Sequence, residues 1–392
     1  MMAKKSIYEK MGVDPHKGTV KGIFEKIIKN DFPGAFCVMA RDEKNPGRVK
    51  VKHSDGSGSK SIQRCLHYFE TGDETIFQGD IDDALSSNAS DIAAAGFVER
   101  YELTDVVNIN SKNVPKDVIL KNLGMGIQKN IELYKKFGID IEFLGGETAD
   151  LPDQVNSYAI DMDIRSEARE EDIVKGNIEA GDLIFGFSSA GQAEWEGKPN
   201  SGQMTNGLTF TRTALMHSGY NKKYPFLFGK NKYAGRFKVE DFRKELGMTV
   251  GKAILSPMRQ WAIVIKLLID EFKKNEAFHL LHGISINTGG GLTKISNLGR
   301  GIKYEKQIPD PPLLFKLIQN ESEESWKNMC VTFNMGIGME VVGSGEGGIL
   351  KTAIDAVSQK TKVAAYKLGE CKKNKEEKNK VVVISSLGTF EF

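Results

Sequence analysis

Cysteine is scarce in this chain: the four present, Cys37, Cys65, Cys330 and Cys371, are scattered among 392 residues with no Cys-x-x-Cys pair. That spacing excludes a zinc cluster and a disulfide framework and fits a reducing cytoplasm. Six histidines show no His-Glu-x-x-His spacing, which argues against a zinc or redox enzyme. A Gly-x-Ser-x-Gly elbow, a cysteine with a nearby histidine signature and a Walker A loop are all missing. No run approaches the ~18 apolar residues that a membrane span needs, and Met1-Met2-Ala3-Lys4-Lys5 leads into polar residues rather than a signal segment. Charge of one sign is lacking too. A net charge of +2, with acids and bases interleaved, makes no case for a nucleic acid or an anionic membrane as partner. The one dense basic run, 372–380, is interrupted by Glu376 and Glu377 and reads as a solvated loop. A soluble, unprocessed cytoplasmic protein is the expectation.

What is present suffices for two large cores, since 40% of the 392 residues are hydrophobic and the chain is too long for one ordinary domain. Ile119, Leu123, Ile127, Ile131 and Tyr134 recur at helical spacing, so a helix is predicted over 116–137, stopped by Gly138. A second long helix is predicted over 259–275, with Ser256-Pro257 as its start signal. Strands are predicted at 139–144, 157–164, 183–188, 339–342 and 381–385. The polar, turn-rich stretch from Ser166 to Asp182 marks a domain boundary, and 191–202 reads as a loop or a lid. Alternating strands and helices in both halves give an α/β class, with no short-period repeat.

The stretch richest in chemistry is Asp55-Gly56-Ser57-Gly58-Ser59-Lys60, which follows the strand-like Val49-Lys50-Val51-Lys52. A carboxylate can hold magnesium, glycines let backbone N–H groups approach phosphate oxygens, and a lysine can neutralise charge. Taken alone, the stretch is equally a Gly/Ser-rich hairpin turn. Asp83 and Asp91 lie eight residues apart on a predicted helix, near one face; they are either a solvated acidic face or carboxylates joined by a cation. Glu147 follows Gly145-Gly146 at a strand end, where glycine allows close approach of a ligand. Asp55, Asp83, Asp91 and Glu147 could together hold more than one magnesium ion around a triphosphate. Lys60 and Lys26 are the basic partners, Lys26 being otherwise an exposed helix lysine. In the second half, Thr288-Gly289-Gly290-Gly291 and Thr332-Phe333-Asn334-Met335-Gly336 are glycine-punctuated, Asn206-Gly207 precedes a helix, and His282 is a candidate for substrate contact.

In order, these segments resemble the aminoimidazole ribonucleotide (AIR) synthetase family, the phosphoribosylformylglycinamidine cyclo-ligases. Tyr8 to Asp14 is similar to that family's opening Tyr-x-x-x-Gly-Val-Asp, and Asp55-Gly56-x-Gly58-x-Lys60 to its Asp-Gly-Val-Gly-Thr-Lys. Asp83, Ser90-Asp91 and Gly96 keep its spacing; Gly145 to Ala149 with Pro152, then Asn206-Gly207, Thr288 to Gly291 and Thr332 to Met339, follow in register. The resemblance implies a two-domain fold. Residues 1–172 would form an N-terminal nucleotide- and metal-binding domain that builds a dimeric β-barrel, and 173–392 a C-terminal mixed-sheet α/β domain. It implies ATP and Mg2+ as cofactors, a homodimer, and phosphorylation of the formyl oxygen of formylglycinamidine ribonucleotide before ring closure.

Carried over residue by residue, Asp55, Lys60 and Glu147 would be catalytic, and Asp55, Asp83, Asp91 and Glu147 metal ligands. Lys26, Gly56, Gly58, Lys60 and Thr148 would contact the nucleotide, and Asn206, Gly207, His282, Thr288, Gly289, Thr332 and Asn334 the substrate. The chain departs from the family where Met204 and Ile286 replace histidines and where 192–203 and 220–247 look inserted. The competing readings are another ATP-using member of the superfamily, such as formylglycinamidine ribonucleotide synthase, selenophosphate synthetase or thiamine-monophosphate kinase, and a non-catalytic nucleotide-binding paralogue.

Overall fold

A computed structural model of the chain describes residues 5–14, 23–24, 27–227 and 229–392. Alternation of apolar and polar residues builds the first sheet. In Arg48–Gly56, Val49 and Val51 are buried while Lys50 and Lys52 face solvent, the period-two pattern of a half-covered strand. The sheet comprises β1 (Ala40–Arg41), β2 (Arg48–Gly56), β3 (Arg100–Ile109), β4 (Asp140–Asp150) and β5 (Tyr158–Arg169), in the spatial order β1-β2-β5-β3-β4. Only the β3–β4 pair is parallel. The sheet is open, with β4 as an edge.

Two strands run further than their sequence patterns predict. β4 continues through Gly145-Gly146-Glu147 to Asp150 because it pairs with β3 on both sides of an irregularity between Leu103 and Asp105. β5 reaches Arg169 because its polar end pairs with Arg48 to Lys52 of β2, so the predicted linker begins inside a strand.

Helices α1 (Lys60–Thr71), α2 (Gly79–Ala93) and α3 (Lys116–Lys136) belong to the first half, α4 (Leu208–Leu215) and α5 (Trp261–Lys274) to the second. The α3 pattern is as predicted: Ile119, Leu123 and Tyr134 are buried, and Gly138 with φ 76° follows the end. α5 starts two residues later than predicted, after Gln260. α2 packs against β2 and β5 on one side and α5 on another, which leaves nearly its whole length buried. The solvated acidic face is thereby excluded for Asp83, which is fully buried.

The second sheet adds β6 (Leu183–Ser188), β7 (Leu281–Ile286), β8 (Ile302–Gln307), β9 (Ile337–Gly343), β10 (Ala365–Lys373), β11 (Lys380–Ser385) and β12 (Gly388–Glu391). Their order is β7-β9-β6-β10-β8-β11-β12, antiparallel except for β8–β11. The first sheet is drawn entirely from residues before 170 and this one entirely from residues after 182.

Both segments that look inserted are anchored. In 220–247, Tyr224 stacks on Phe69 of α1 with ring centroids 5.5 Å apart and donates to Glu70 at 2.6 Å, so this stretch clasps the first half to the second. In 191–202, Arg259 donates to both carboxylate oxygens of Glu196 at 2.9 Å, and Trp195 packs edge-on against Phe137. That segment is a pinned loop rather than a free lid.

Candidate active site

The β2 pattern carries His53 and Asp55 on the same side as the buried Val49 and Val51, and delivers Asp55 to the strand end, where it is exposed. Its Oδ1 accepts the Gly56 N–H at 2.8 Å. A side chain at Gly56 would collide with Asp161 and the Ile160 carbonyl, so the close approach of β2 to β5 requires glycine. The chain then turns through Ser57, Gly58 and Ser59 into α1. First-turn N–H groups of a 12-residue helix, with the positive end of its dipole, form a site suited to an anion. At this point the two halves meet: Ser59 Oγ lies 3.0 Å from Thr209 Oγ1 on α4.

Lys60 turns away from that loop. It is fully buried and donates at 2.7 Å to both Asp83 Oδ1 and the Ser256 carbonyl. Arg64, four residues on and so on the same helix face, donates to Asp83 Oδ2 and pairs with Asp80 at 2.9 Å. The Met258 N–H gives Asp83 a further bond at 2.8 Å. Burial pushes the Asp83 carboxyl up and the Lys60 ammonium down, and their mutual attraction opposes both shifts. Asp83 thus has both oxygens engaged by protein donors, and Lys60 neutralises Asp83 instead of a phosphate. This replaces the expectation that both face a triphosphate.

Asp91 lies beside His53 of β2. Its Oδ2 is 3.6 Å from His53 Nε2, while His53 Nδ1 is 2.9 Å from Asn88 Oδ1, and Asn88 Nδ2 donates to the Asp55 carbonyl at 2.8 Å. Asp55, His53, Asn88 and Asp91 therefore form one connected group. Burial first, and Asp55 second, push the Asp161 carboxyl up.

Glu147 is elsewhere. Gly56, Asp161, Val106 and Glu147 form one row across the sheet, and Asp55, Met162, Asp105 and Gly146 the next, so Asp55 and Glu147 point to opposite faces. Within one chain the four acids are not gathered, and the described residues contain no cluster of three or more metal-ligating side chains. Thr148 is exposed on the same edge strand, and Lys26 lies outside the described residues.

In the second half, Asn206 Nδ2 donates to the Thr332 carbonyl at 2.6 Å, and Asn334 Nδ2 to the Gly202 carbonyl at 3.0 Å. Gly207 has φ 71° and sits against the Phe333 ring, where a Cβ would clash. The Gly291 N–H returns to the Thr288 carbonyl at 2.8 Å, and Gly289 is exposed at the tip of that turn. Asn206, Gly207, Thr332 and Asn334 thus come together beside the start of α1, with the Thr288 turn bordering Phe333. The amide oxygens of Asn206 and Asn287 are buried with no hydrogen-bond partner among the described residues, an arrangement that a polar ligand or water would satisfy.

No family model matches the chain. It is 27% identical over 327 residues to the phosphoribosylformylglycinamidine cyclo-ligase of Methanococcus vannielii, covering 82% of this chain and 78% of that one. It is 29% identical over 350 residues to the enzyme of that name from Desulfitobacterium hafniense, covering 86% and 85%. The chain is thus similar to phosphoribosylformylglycinamidine cyclo-ligases over most of its length. Solved structures agree on the fold. T. maritima PurL complexed with FGAR superposes with a TM-score of 0.55 at 13% identity, covering 98% of this chain and 54% of PurL. PurL complexed with ADP gives 0.52 at 12% identity, covering 98% and 52%.

Met204 and Ile286, where the resemblance implies histidines, are both buried in the core. His282 does not take over. It stands at the start of β7, while Thr288 lies beyond the other end, roughly 20 Å away along an extended strand at about 3.3 Å per residue. Its Nδ1 pairs with the buried Asp182 at 2.8 Å, and that bond raises the imidazole pKa. Sequence reasoning missed Arg64, Asp80, His53 and Asn88. Lys60/Arg64 at i,i+4 and Asp80/Asp83 at i,i+3 were a readable signal, two helix faces of opposite charge.

Proposed function

We propose that the protein uses ATP and Mg2+ to convert formylglycinamidine ribonucleotide to 5-aminoimidazole ribonucleotide, releasing ADP and phosphate. The observation that carries this reading is the meeting of the phosphate-suited loop and the Asn206-Gly207 turn at Ser59–Thr209 in a chain similar to the cyclo-ligases. ATP supplies the phosphoryl group that turns the formyl oxygen into a leaving group. The exposed Asp55 suits a magnesium ion, and Gly58 and the first N–H groups of α1 suit phosphate oxygens, with Gly56 permitting the close approach of β2 to β5 behind them. Such transfer rests on positioning and charge neutralisation more than on a protein nucleophile. Asn206, whose buried amide oxygen has no partner among the described residues, holds the ribonucleotide against the loop and is backed by Thr332 and Asn334, so the amidine-side nitrogen closes on the activated carbon. Lys60 serves as a positioning residue, fixing Asp83 and the start of α1.

A homodimer suits the first sheet. Its outer side and β4 edge expose Val106 (42%), Phe143 (36%) and Leu144 (55%), an apolar area that a second copy would cover. Glu147 and Thr148 lie on that edge strand, so dimerisation would decide which cleft they serve. The buried Met204 and Ile286 favour a second reading, in which another ATP-using reaction of the superfamily is catalysed with different substrate contacts.

Asp55→Asn tests the assignment. It removes a metal ligand without touching the core, so turnover should fall by about 10²-fold or more, a loss of roughly 3 kcal/mol in transition-state stabilisation, while the thermal midpoint stays at the wild-type value. Wild-type turnover in this variant would remove Asp55 from the site.

A further inference from the structure

A cavity of about 640 Å³ opens between the two halves, and none of Asp55, Gly58, Ser59, Asn206, Thr332 or Asn334 lines it. Both departing segments help to wall it, through Trp195 and Lys198 from one and Phe242 from the other; Leu133, Met248 and Lys252 complete the parts that matter here. The walls are fixed. Arg259, only 2% exposed, holds Glu196, and Asn200 Nδ2 donates to the Pro257 carbonyl at 2.7 Å.

Charge around the cavity is unbalanced. Glu196 is neutralised by Arg259, and Asp82 is bonded by Asn130 at 2.8 Å and Lys129 at 3.2 Å. Asp73 accepts from the Thr75 N–H at 3.1 Å and hydroxyl at 2.6 Å. Lys198 and Lys252 reach no carboxylate among the described residues, which leaves two ammonium groups beside an apolar wall that includes Trp195 and the 64%-exposed Phe242. Volume and lining fall within the range of small-molecule sites, in which an apolar wall carries the ligand body and a few charged groups orient it.

We propose that this cavity binds a small anion carried on a flat apolar ring, of the aryl phosphate class. The ring lies against Trp195 and Phe242, and Lys198 and Lys252 take the phosphate. Its floor includes Ser256 and Met258, whose backbone groups hold Lys60 and Asp83, so the ligand would sit directly behind that buried centre.

The probe is 1-naphthyl phosphate, titrated into the full-length protein by calorimetry. Saturable binding is expected, weakened about tenfold or more, a change of 1.4 kcal/mol at least, in Lys198→Glu/Lys252→Glu. It should be unchanged in Asp55→Asn and in the control Lys44→Glu/Lys367→Glu, which makes the same change in net charge at exposed positions away from the cavity. Absence of saturable binding at millimolar probe, an unaltered affinity in Lys198→Glu/Lys252→Glu, an equal loss in the control, or loss in Asp55→Asn would each overturn the proposal. Because the readout is binding, it stands or falls independently of the cyclisation reaction.

Discussion

Asp83→Asn is expected to destabilise the fold by about 3–5 kcal/mol, the cost of removing one partner from a buried ionic group. Asp83 is the common acceptor for Lys60 at 2.7 Å, Arg64 and the Met258 N–H at 2.8 Å. The substitution keeps the shape and removes the charge, leaving two buried cations to share Asp80. Asp80 is itself held by Tyr158. With total stability of ordinary domains at about 5–15 kcal/mol, such a loss would be plain in a denaturant titration, and it should persist at ~1 M salt because a buried group is poorly screened. A loss below about 1 kcal/mol would show that Asp83 does not organise this centre.

A second buried pair should behave differently when both partners are removed. Lys306 and Glu340 are fully buried, with Nζ donating at 2.5 Å to Glu340 Oε1 and at 2.7 Å to the Leu292 carbonyl. Glu340 Oε2 and the cross-strand Ser285 hydroxyl have no hydrogen-bond partner among the described residues, so the pair is incompletely satisfied. Lys306→Met and Glu340→Leu alone should each cost about 3–5 kcal/mol by stranding the opposite charge, whereas the double variant should fall near the wild type or above it. Denaturant midpoints of the four proteins close the cycle. A double variant as unstable as the sum of the singles would refute the coupling.

Much of the fold was legible because it rests on local patterns. Ile119 to Tyr134 and the apolar face of α5 gave helices within two residues, since 3.6-residue periodicity survives burial. Strand lengths were less legible because polar residues such as Arg165 and Glu167 continue the central strand β5 without an apolar signal. The site divided along the same line. Asp55 and its glycines sit at a strand-to-helix turn that sequence marks, and Asn206 bonds the Thr332 carbonyl two residues before Asn334. Lys60 and Asp83 were misread because spacing fixes a helix face but not what packs against it, and here α1 and α2 face each other. Glu147 was expected at a strand end, whereas β4 continues past it to Asp150 and carries it on the face of the sheet opposite Asp55.

The most direct test of the central claim is product analysis of the purified protein with formylglycinamidine ribonucleotide, ATP and Mg2+. Equal amounts of 5-aminoimidazole ribonucleotide, ADP and phosphate are expected, with none formed when ATP is omitted. ATP hydrolysis without the imidazole product, or no consumption of the ribonucleotide, would contradict the assignment.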